Sequence, residues 1–528
     1  MKTLLKKSLI WALPLAILSS CETALDKSPF NAITDASAFS TADRCQLALY
    51  GVYDAAQSSP YTDNSVRGYP FGAANIEQGD ARGEDVINVA AFFQITYQAT
   101  YNSTTANNVG QWGALYALIN KANISIEGFK TAAQSNIISA AVASQYEAEC
   151  RFLRAMAHHE AVVFYARPYL DGNGNKLGVP YRDFAINSGT SVEQVRAIPR
   201  PTVAENYEKI LADLDFAEAN LPATITPGTV RATKAAAIAL KQRVKLHKGD
   251  WAGVIAEGAK LIPTGNAPFV SPIGGWKLTD EPNGPFTNNS STESIFSIRN
   301  DALDNTGTNG ALPSMYGAAN LGARGLLAIS PIIWNNNKWL ATDKRRSQLY
   351  ITGANSNGAS TVNYFARKYT SYTERADFAP QIRYAEVLLN SAEAEARQAT
   401  GVSDRALALL NAVRNRALAA PATDAYTAAS FADKKALIAA ILLERRIEFL
   451  AEGKRWADIH RNAVDPDFTT GGIPAKYPNG AQGAALYSVG GTINPTQAAI
   501  PYADFRFIWP IPDNEKTQNP IIEQNPGY

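Results

Sequence analysis

The chain has 528 residues, with 49 Lys and Arg against 48 Asp and Glu. That length exceeds one ordinary core and calls for a single large composite fold or two lobes. The near-even charge leaves no basic field to hold phosphates, which argues against nucleic acid as a partner.

Lys2, Lys6 and Lys7 form a positive start, residues 4–18 are largely apolar around Pro14, and Leu18-Ser19-Ser20-Cys21 closes the stretch. This segment resembles a bacterial lipoprotein signal. The resemblance implies cleavage after residue 20, acylation of Cys21 and attachment to a membrane by lipid. An ordinary signal peptide with an incidental cysteine is the alternative. No later run is long and apolar enough to span a bilayer. Residues 21–41 read as a lipid-anchored tether and 42–528 as one composite domain. Cys45 and Cys150 both lie in helical patterns, where a buried unpaired thiol is favoured over a bridge, although export permits one.

The first helix is expected over 43–56. Residues 58–110 carry Tyr61, Tyr69, Phe71, Phe92, Phe93, Tyr97 and Tyr101 among Gly, Asn, Asp and Arg with no sustained period. They read as an irregular, aromatic-bearing surface. Trp112, Tyr116, Ile119, Asn123 and Ile126 restore the helical step, with Asn123 expected to bond a neighbouring backbone from inside the protein. Tyr146, Cys150, Leu153 and Ala157 face inward on the next helix, with Arg151, Arg154 and His158 along another side. Thr202 and Glu205 form a capping box before Val203, Ile210, Leu214, Ala217 and Leu221. Thr233 opens a further helix that closes at Gly249, and Trp251 starts another two residues on, so the two must fold back on each other.

Residues 264–378 are rich in Pro, Gly and Asn around Trp276, Tyr316, Trp334 and Trp339, with a short strand-like piece at 294–298. Helical periodicity returns over 381–461. Glu386, Asn390, Glu393 and Arg397 share one face, opposite Ile382, Ala385, Leu389, Ala392 and Ala396. Ser430 and Asp433 are read as a capping-box pair for the last long helix. The tail from Gly471 is again irregular. The expected fold is mainly α, with tetratricopeptide-like helical hairpins forming an α-α superhelical scaffold that carries an inserted loop-rich lobe.

Motifs for chemistry fail on their spacing. His159-Glu160 begins like a zinc helix, but Val163 stands where the second histidine is required. Asp171, Asn173 and Asn175 start like a calcium loop, but Lys176 and Arg182 occupy the glycine and glutamate positions, so a polar hairpin tip is expected. Glu444, Glu448 and Glu452 repel at helical spacing and need cations, for which Arg445, Arg446, Lys454 and Arg455 are the nearest in sequence. They read as a structural ion network. No metal, cofactor or catalytic residue is assigned.

The lipobox, Asp26-Lys-Ser-Pro29, residues 112–123, YEAECRFLRA, PRPTVAENYEKILADLDFAEANLP, PQIRYAEVLLNSAEAEA, LERRIEFLAEGKRWADIHR and WPIPDNEKTQNPIIEQNPGY occur in this order. Together they resemble the SusD/RagB family of Bacteroidetes surface lipoproteins. The resemblance implies a non-enzymatic nutrient-binding protein of the outer membrane that works with a SusC-like TonB-dependent transporter. It also implies tetratricopeptide-like helices facing that transporter and a separate loop surface taking an oligosaccharide or, in some members, a peptide.

Aromatic faces with nearby polar groups suit a sugar ligand. The candidate platforms are Phe92, Phe93, Tyr97, Tyr101, Tyr316, Trp334 and Trp339. The candidate polar partners are Asp80, Arg82, Asp85, Arg299, Asn300 and Asn335. Peptide capture on the same scaffold and a surface hydrolase are the alternative readings.

Overall fold

The structure is a computed structural model that describes residues 35–58, 67–356 and 363–528. The lipoprotein-like segment, Cys21 and Tyr61 lie outside the described residues. Within the expected tether, Asp35–Ala38 form a single helical turn ahead of the first long helix, α1 (Ala42–Gln57), which Thr41 caps.

The scaffold continues through α2 (Ala73–Ala81), α3 (Ala106–Gln134), α4 (Ala140–Tyr165), α5 (Val203–Asn220), α6 (Lys234–Lys248) and α7 (Trp251–Leu261). It resumes with α8 (Tyr384–Gln398), α9 (Asp404–Asn415), α10 (Lys434–Glu448) and α11 (Lys454–Asn462). From α3 to α9 each helix packs on the next, and α10 packs on α8. This is the mainly helical, tetratricopeptide-like architecture that the hairpin pattern implies. Local chemistry sets the corners. Thr202 and Glu205 close the expected box at the start of α5. At the end of α6, Gly249 takes the left-handed conformation (φ 74°), and Asp250 then caps α7. An L side chain is disfavoured at that φ, and glycine is not.

Several local expectations change. Residues 58–110 hold all of α2 and the start of α3. Every residue of α2 is buried, so AANIEQGDA shows no amphipathic period to read. Ile382 belongs to strand β6 and not to α8, which starts at Tyr384. The cap of α10 is Asp433 alone, accepting from the Ala436 N–H at 2.8 Å, whereas Ser430 pairs with Thr427 in the preceding turn. Residues 171–174 form a 3-10 turn with Gly172 and Asn173 left-handed, and Asp171 accepts from the Tyr502 hydroxyl.

The insertion leaves after Leu261 and returns at Tyr384, whose hydroxyl donates to the Leu261 carbonyl at 2.9 Å. The strands of this lobe are short and antiparallel, and the first of them, before α3, comes from outside the insertion. β1 (Val86–Asn88) pairs with β3 (Leu327–Ile329), β2 (Ser294–Ile298) with β6 (Ala379–Arg383), and β4 (Tyr350–Gly353) with β5 (Asn363–Ala366). β7 (Gly472–Ile473) and β8 (Ile500–Pro501) pair in the tail. One large apolar cluster runs from Cys45 to Ile522 through scaffold, insertion and tail. Cys45 and Cys150 are free and buried within it.

Buried charge joins the insertion to the scaffold. Glu444 and Glu448 of α10 and Glu452 in the turn after it are indeed held in an ion network, but by cations other than their sequence neighbours. Glu444 and Glu448 meet Arg345 at 2.6 and 3.1 Å. Glu448 also meets Arg383 at 2.9 Å and Arg416 at 2.7 Å. Glu452 meets Lys368 at 2.6 Å and Arg383 at 2.8 Å. Glu293, from the turn before β2, bonds both Arg383 and Arg416. The neighbouring cations go elsewhere. Arg445 pairs with Asp458, Arg446 with Glu84 and Asp85, Arg455 with Glu84, and Lys454 with the Gln381 carbonyl. A helix face repeating charge at steps of three and four faces water only when no partner covers it. Here Arg345 and Lys368 of the insertion cover it, with Arg383 at the end of β6 and Arg416 after α9.

Candidate ligand-binding surface

The nominated residues divide sharply by position. Phe93, Tyr97, Tyr101, Tyr316, Trp334 and Trp339 are buried, as are Asp80, Arg82, Asp85, Asn300 and Asn335. Each builds the lobe instead of presenting a face to solvent. The Tyr97 hydroxyl donates to the Tyr477 carbonyl at 2.7 Å, and Tyr101 donates to the Arg506 carbonyl and packs edge-on against Trp509. Tyr316 donates to Asp80 at 2.6 Å, and the Gly453 N–H donates to the other oxygen of the same carboxylate. Burial pushes Asp80 up to about 7, against both of those hydrogen bonds.

Arg82 lies 3.6 Å from the Trp456 ring centre and donates to the Phe507 carbonyl, and burial lowers its pKa. Asp85 is clasped by Arg446. Asn335 donates to the Leu486 carbonyl and accepts from the Ser488 N–H, while Asn300 donates to the Asp377 carbonyl.

Trp334 stacks on Tyr364 with ring centres 3.8 Å apart, edges against Trp339, and lies under the Arg346 guanidinium. The cause of this burial is the tail. Residues 477–497 fold across the lobe, joining Gly480 to the Asn88 carbonyl, Asn479 to Asn88, Gly490 to the Asn335 carbonyl, and Gln497 to the Tyr97 carbonyl.

Phe92 and Arg299 remain accessible. Phe92 follows β1, is half-buried, and meets Phe93 edge-to-face at 4.8 Å. The guanidinium carbons of Arg67 and Arg324 lie 5.4 and 4.5 Å from its ring centre. Arg324 donates to Asn309 at 2.7 Å. Beneath them Glu77 is fully buried, with both carboxylate oxygens lacking a hydrogen-bond partner among the described residues. Burial raises its pKa well above the usual range, with Arg324 pulling the other way.

Glycine sets this arrangement. Gly68 has φ 74°, and an added Cβ would stand 2.6 Å from the Gly310 carbonyl oxygen. Gly325 has φ 60°, and a Cβ there would meet the Ala354 carbonyl oxygen at 2.8 Å. Arg67 and Arg324 thus each adjoin a backbone crossing that only glycine permits. Tyr364 and Tyr487, half-buried and 5.1 Å apart with their rings edge-to-face, extend the same lobe next to Trp334.

Arg67, Arg324, Asn309, Tyr364 and Tyr487 were not singled out from the sequence. Arg67-Gly68 and Arg324-Gly325 do carry a readable signal, a lone arginine against a turn glycine inside an irregular segment. The surface as built offers one aromatic face, two planar cations and an amide. Such a set can stack on an apolar sugar face and bond its hydroxyls. Among the described residues, no group of three or more His, Cys, Asp or Glu could hold a metal ion.

Residues 331–528, which run from within the insertion through α8–α11 to the tail, match the SusD family model, and residues 30–246 match a model described as starch-binding associating with outer membrane. SusD-like protein P38 of Formosa agariphila is 26% identical over 97% of both chains. A SusD superfamily crystal structure from Bacteroides fragilis is 26% identical, with a TM-score of 0.72 over 92% of this chain and 99% of that one. Surface glycan-binding protein A from Bacteroides uniformis shares the fold at 18% identity, with a TM-score of 0.68 over 92% of this chain and 99% of that one. With scaffold order, inserted lobe and both family models in agreement, the chain belongs to the SusD/RagB family.

Proposed function

We propose that this protein captures an oligosaccharide at the outer membrane and passes it to a SusC-like TonB-dependent transporter, held to the membrane by lipid on Cys21. The observation that carries the reading is the Phe92 surface, where a half-buried aromatic ring lies beside Arg67 and Arg324. The starch-binding description of one matching family model and the glycan-binding name of a fold neighbour support the ligand class. The protein is read as a binder and not an enzyme.

Calorimetry of the protein against a panel of plant, algal and microbial oligosaccharides tests the reading. Loss of one stacking face is worth about 1 kcal/mol, so Phe92→Ala should weaken binding roughly fivefold or more, and Arg324→Ala should weaken it further. Binding of mixed peptides but of no glycan would move the reading to peptide capture. New reducing ends on a bound glycan would make the protein a hydrolase.

A further inference from the structure

Away from the Phe92 surface, the C-terminal half of α1 forms one wall of a cleft of about 280 Å3 whose other walls are the loop after α5, the end of β2 and the turn that follows it. Tyr50, Asp54 and Gln57 fall on one stripe of α1 and line the cleft, and Leu47 continues that stripe one turn back. Across from them stand Pro227, Arg299 and Asp304.

Two features set this place apart. Exposed apolar side chains flank it on both sides, with Leu47 65%, Tyr50 42% and Leu303 98% exposed. Leu303 is held out by design of its turn. The Asp301 side chain accepts from the N–H groups of Leu303 and Asp304 at 2.9 and 2.8 Å, and Gln57 on α1 donates to the Arg299 and Asp304 carbonyls. A leucine presented to water on a fixed turn beside an exposed tyrosine marks an interaction site more than a loose loop tip.

Two carboxylates, Asp54 and Asp304, and two guanidiniums, Arg231 and Arg299, line the cleft. Arg231 is engaged by Glu149 and Arg299 by Asp301, so the nearby guanidiniums are neutralised by other partners. Asp54 and Asp304 line the cleft together. Burial raises the Asp54 pKa, Lys121 lowers it and Asp304 raises it further.

We propose that this cleft docks a polypeptide segment that places one Lys or Arg between Asp54 and Asp304, its aliphatic stem along Tyr50 and Pro227, and apolar neighbours against Leu47 and Leu303. Charge complementarity selects the central residue, because a cation relieves the repulsion between the two carboxylates; the Tyr50 ring itself already carries the Arg231 guanidinium, 5.8 Å from its centre. The flanking apolar side chains supply the water-excluding ring that such an anchor needs. This inference stands apart from the nutrient reading and uses none of the residues of the Phe92 surface.

The test is a library of N-acetylated, C-amidated heptapeptides with Leu on both sides of a fixed central Lys, Arg, Gln, Glu or Leu, read by fluorescence polarisation against the full protein. Central Lys or Arg should bind at least tenfold more tightly than central Gln, and Asp54→Asn with Asp304→Asn should erase that preference. Leu303→Ser should weaken all of the peptides. Both acids are exposed and their amides are close in shape, so an unchanged melting curve verifies folding. Phe92→Ala should leave peptide binding intact. Equal binding of the Lys and Gln peptides, absence of binding, or displacement of the peptides by a saccharide that loses its affinity on Asp54→Asn would overturn the proposal.

Discussion

Arg383 at the end of β6 is the residue whose removal tests the packing logic most directly. Its guanidinium bonds Glu452, Glu448 and Glu293, the last two of which also bond Arg416, and all of these groups are buried. Arg383→Met fills much of the same space and leaves those carboxylates short of one cation. Breaking a buried ion pair from one side costs about 3–5 kcal/mol. An unfolding entropy of about 2 cal/mol/K per residue makes this a fall of roughly 3–5 °C in melting temperature for a chain of this size.

The pH dependence sharpens the test. Charged partners, led by Arg416 for Glu448 and Arg383 for Glu452, hold both carboxyls below the usual range against burial. A lowered folded pKa stabilises above the unfolded value of about 4.3 and is lost as pH falls through the folded one. In the variant, the uncompensated carboxylates are relieved by protonation instead. The gap between the two proteins should therefore be widest near pH 7 and should close toward pH 4. Scanning calorimetry at pH 7, 5.5 and 4 measures it. A melting temperature within 1 °C of wild type at pH 7, or a gap that widens on acidification, would refute the reasoning.

Asn123 donates to the carbonyls of Arg182 and Phe184 and accepts from Arg154. Asn123→Leu should cost about 3 kcal/mol in urea unfolding, since buried groups left unpaired cost about 1–3 kcal/mol each. Asp433→Ala should lower stability by about 1 kcal/mol, and Ser430→Ala by clearly less; the reverse order in denaturant titration would contradict the cap assignment. All four histidines are buried with lowered pKa values, burial being the first cause, and His159 is held at about 3 and His460 at about 4. A lowered histidine pKa stabilises above about 6.5 and loses that contribution as pH falls toward the folded value. The unfolding free energy from denaturant titration should therefore drop between pH 7.5 and 5.5 by about 1 kcal/mol for each histidine.

The scaffold was legible wherever a helix has one apolar face and a readable end. Thr202 with Glu205, Thr233 with Gly249, and Asn123 all stand as their spacing implies. It was illegible where burial is complete. α2 is surrounded on all sides, so its Asn, Glu, Gln and Asp carry no period, and the polar face of α8 looks solvent-bound although Glu386 and Glu393 are buried against Arg243 and Arg461. The ligand surface failed for a tertiary reason. Aromatic residues in an irregular segment are equally fit for stacking on a sugar and for packing under a tail, and only the path of residues 477–497 decides that Trp334 and Tyr97 do the second. Which cation meets Glu444, Glu448 and Glu452 is likewise fixed by residues distant in the chain, Arg416, Arg383, Lys368 and Arg345.

The bond between Tyr384 and the Leu261 carbonyl brings the two ends of the insertion to one point on the helix stack. A segment whose two ends leave the scaffold at one point can lengthen or shorten in its loops while its stem stays fixed, and doubling a flexible stretch within it adds only about 0.6 kcal/mol of closure entropy. Selection is then free to rewrite the lobe within one limit. Any new cassette must still supply cations for Glu444, Glu448 and Glu452, because those carboxylates cannot be buried without them.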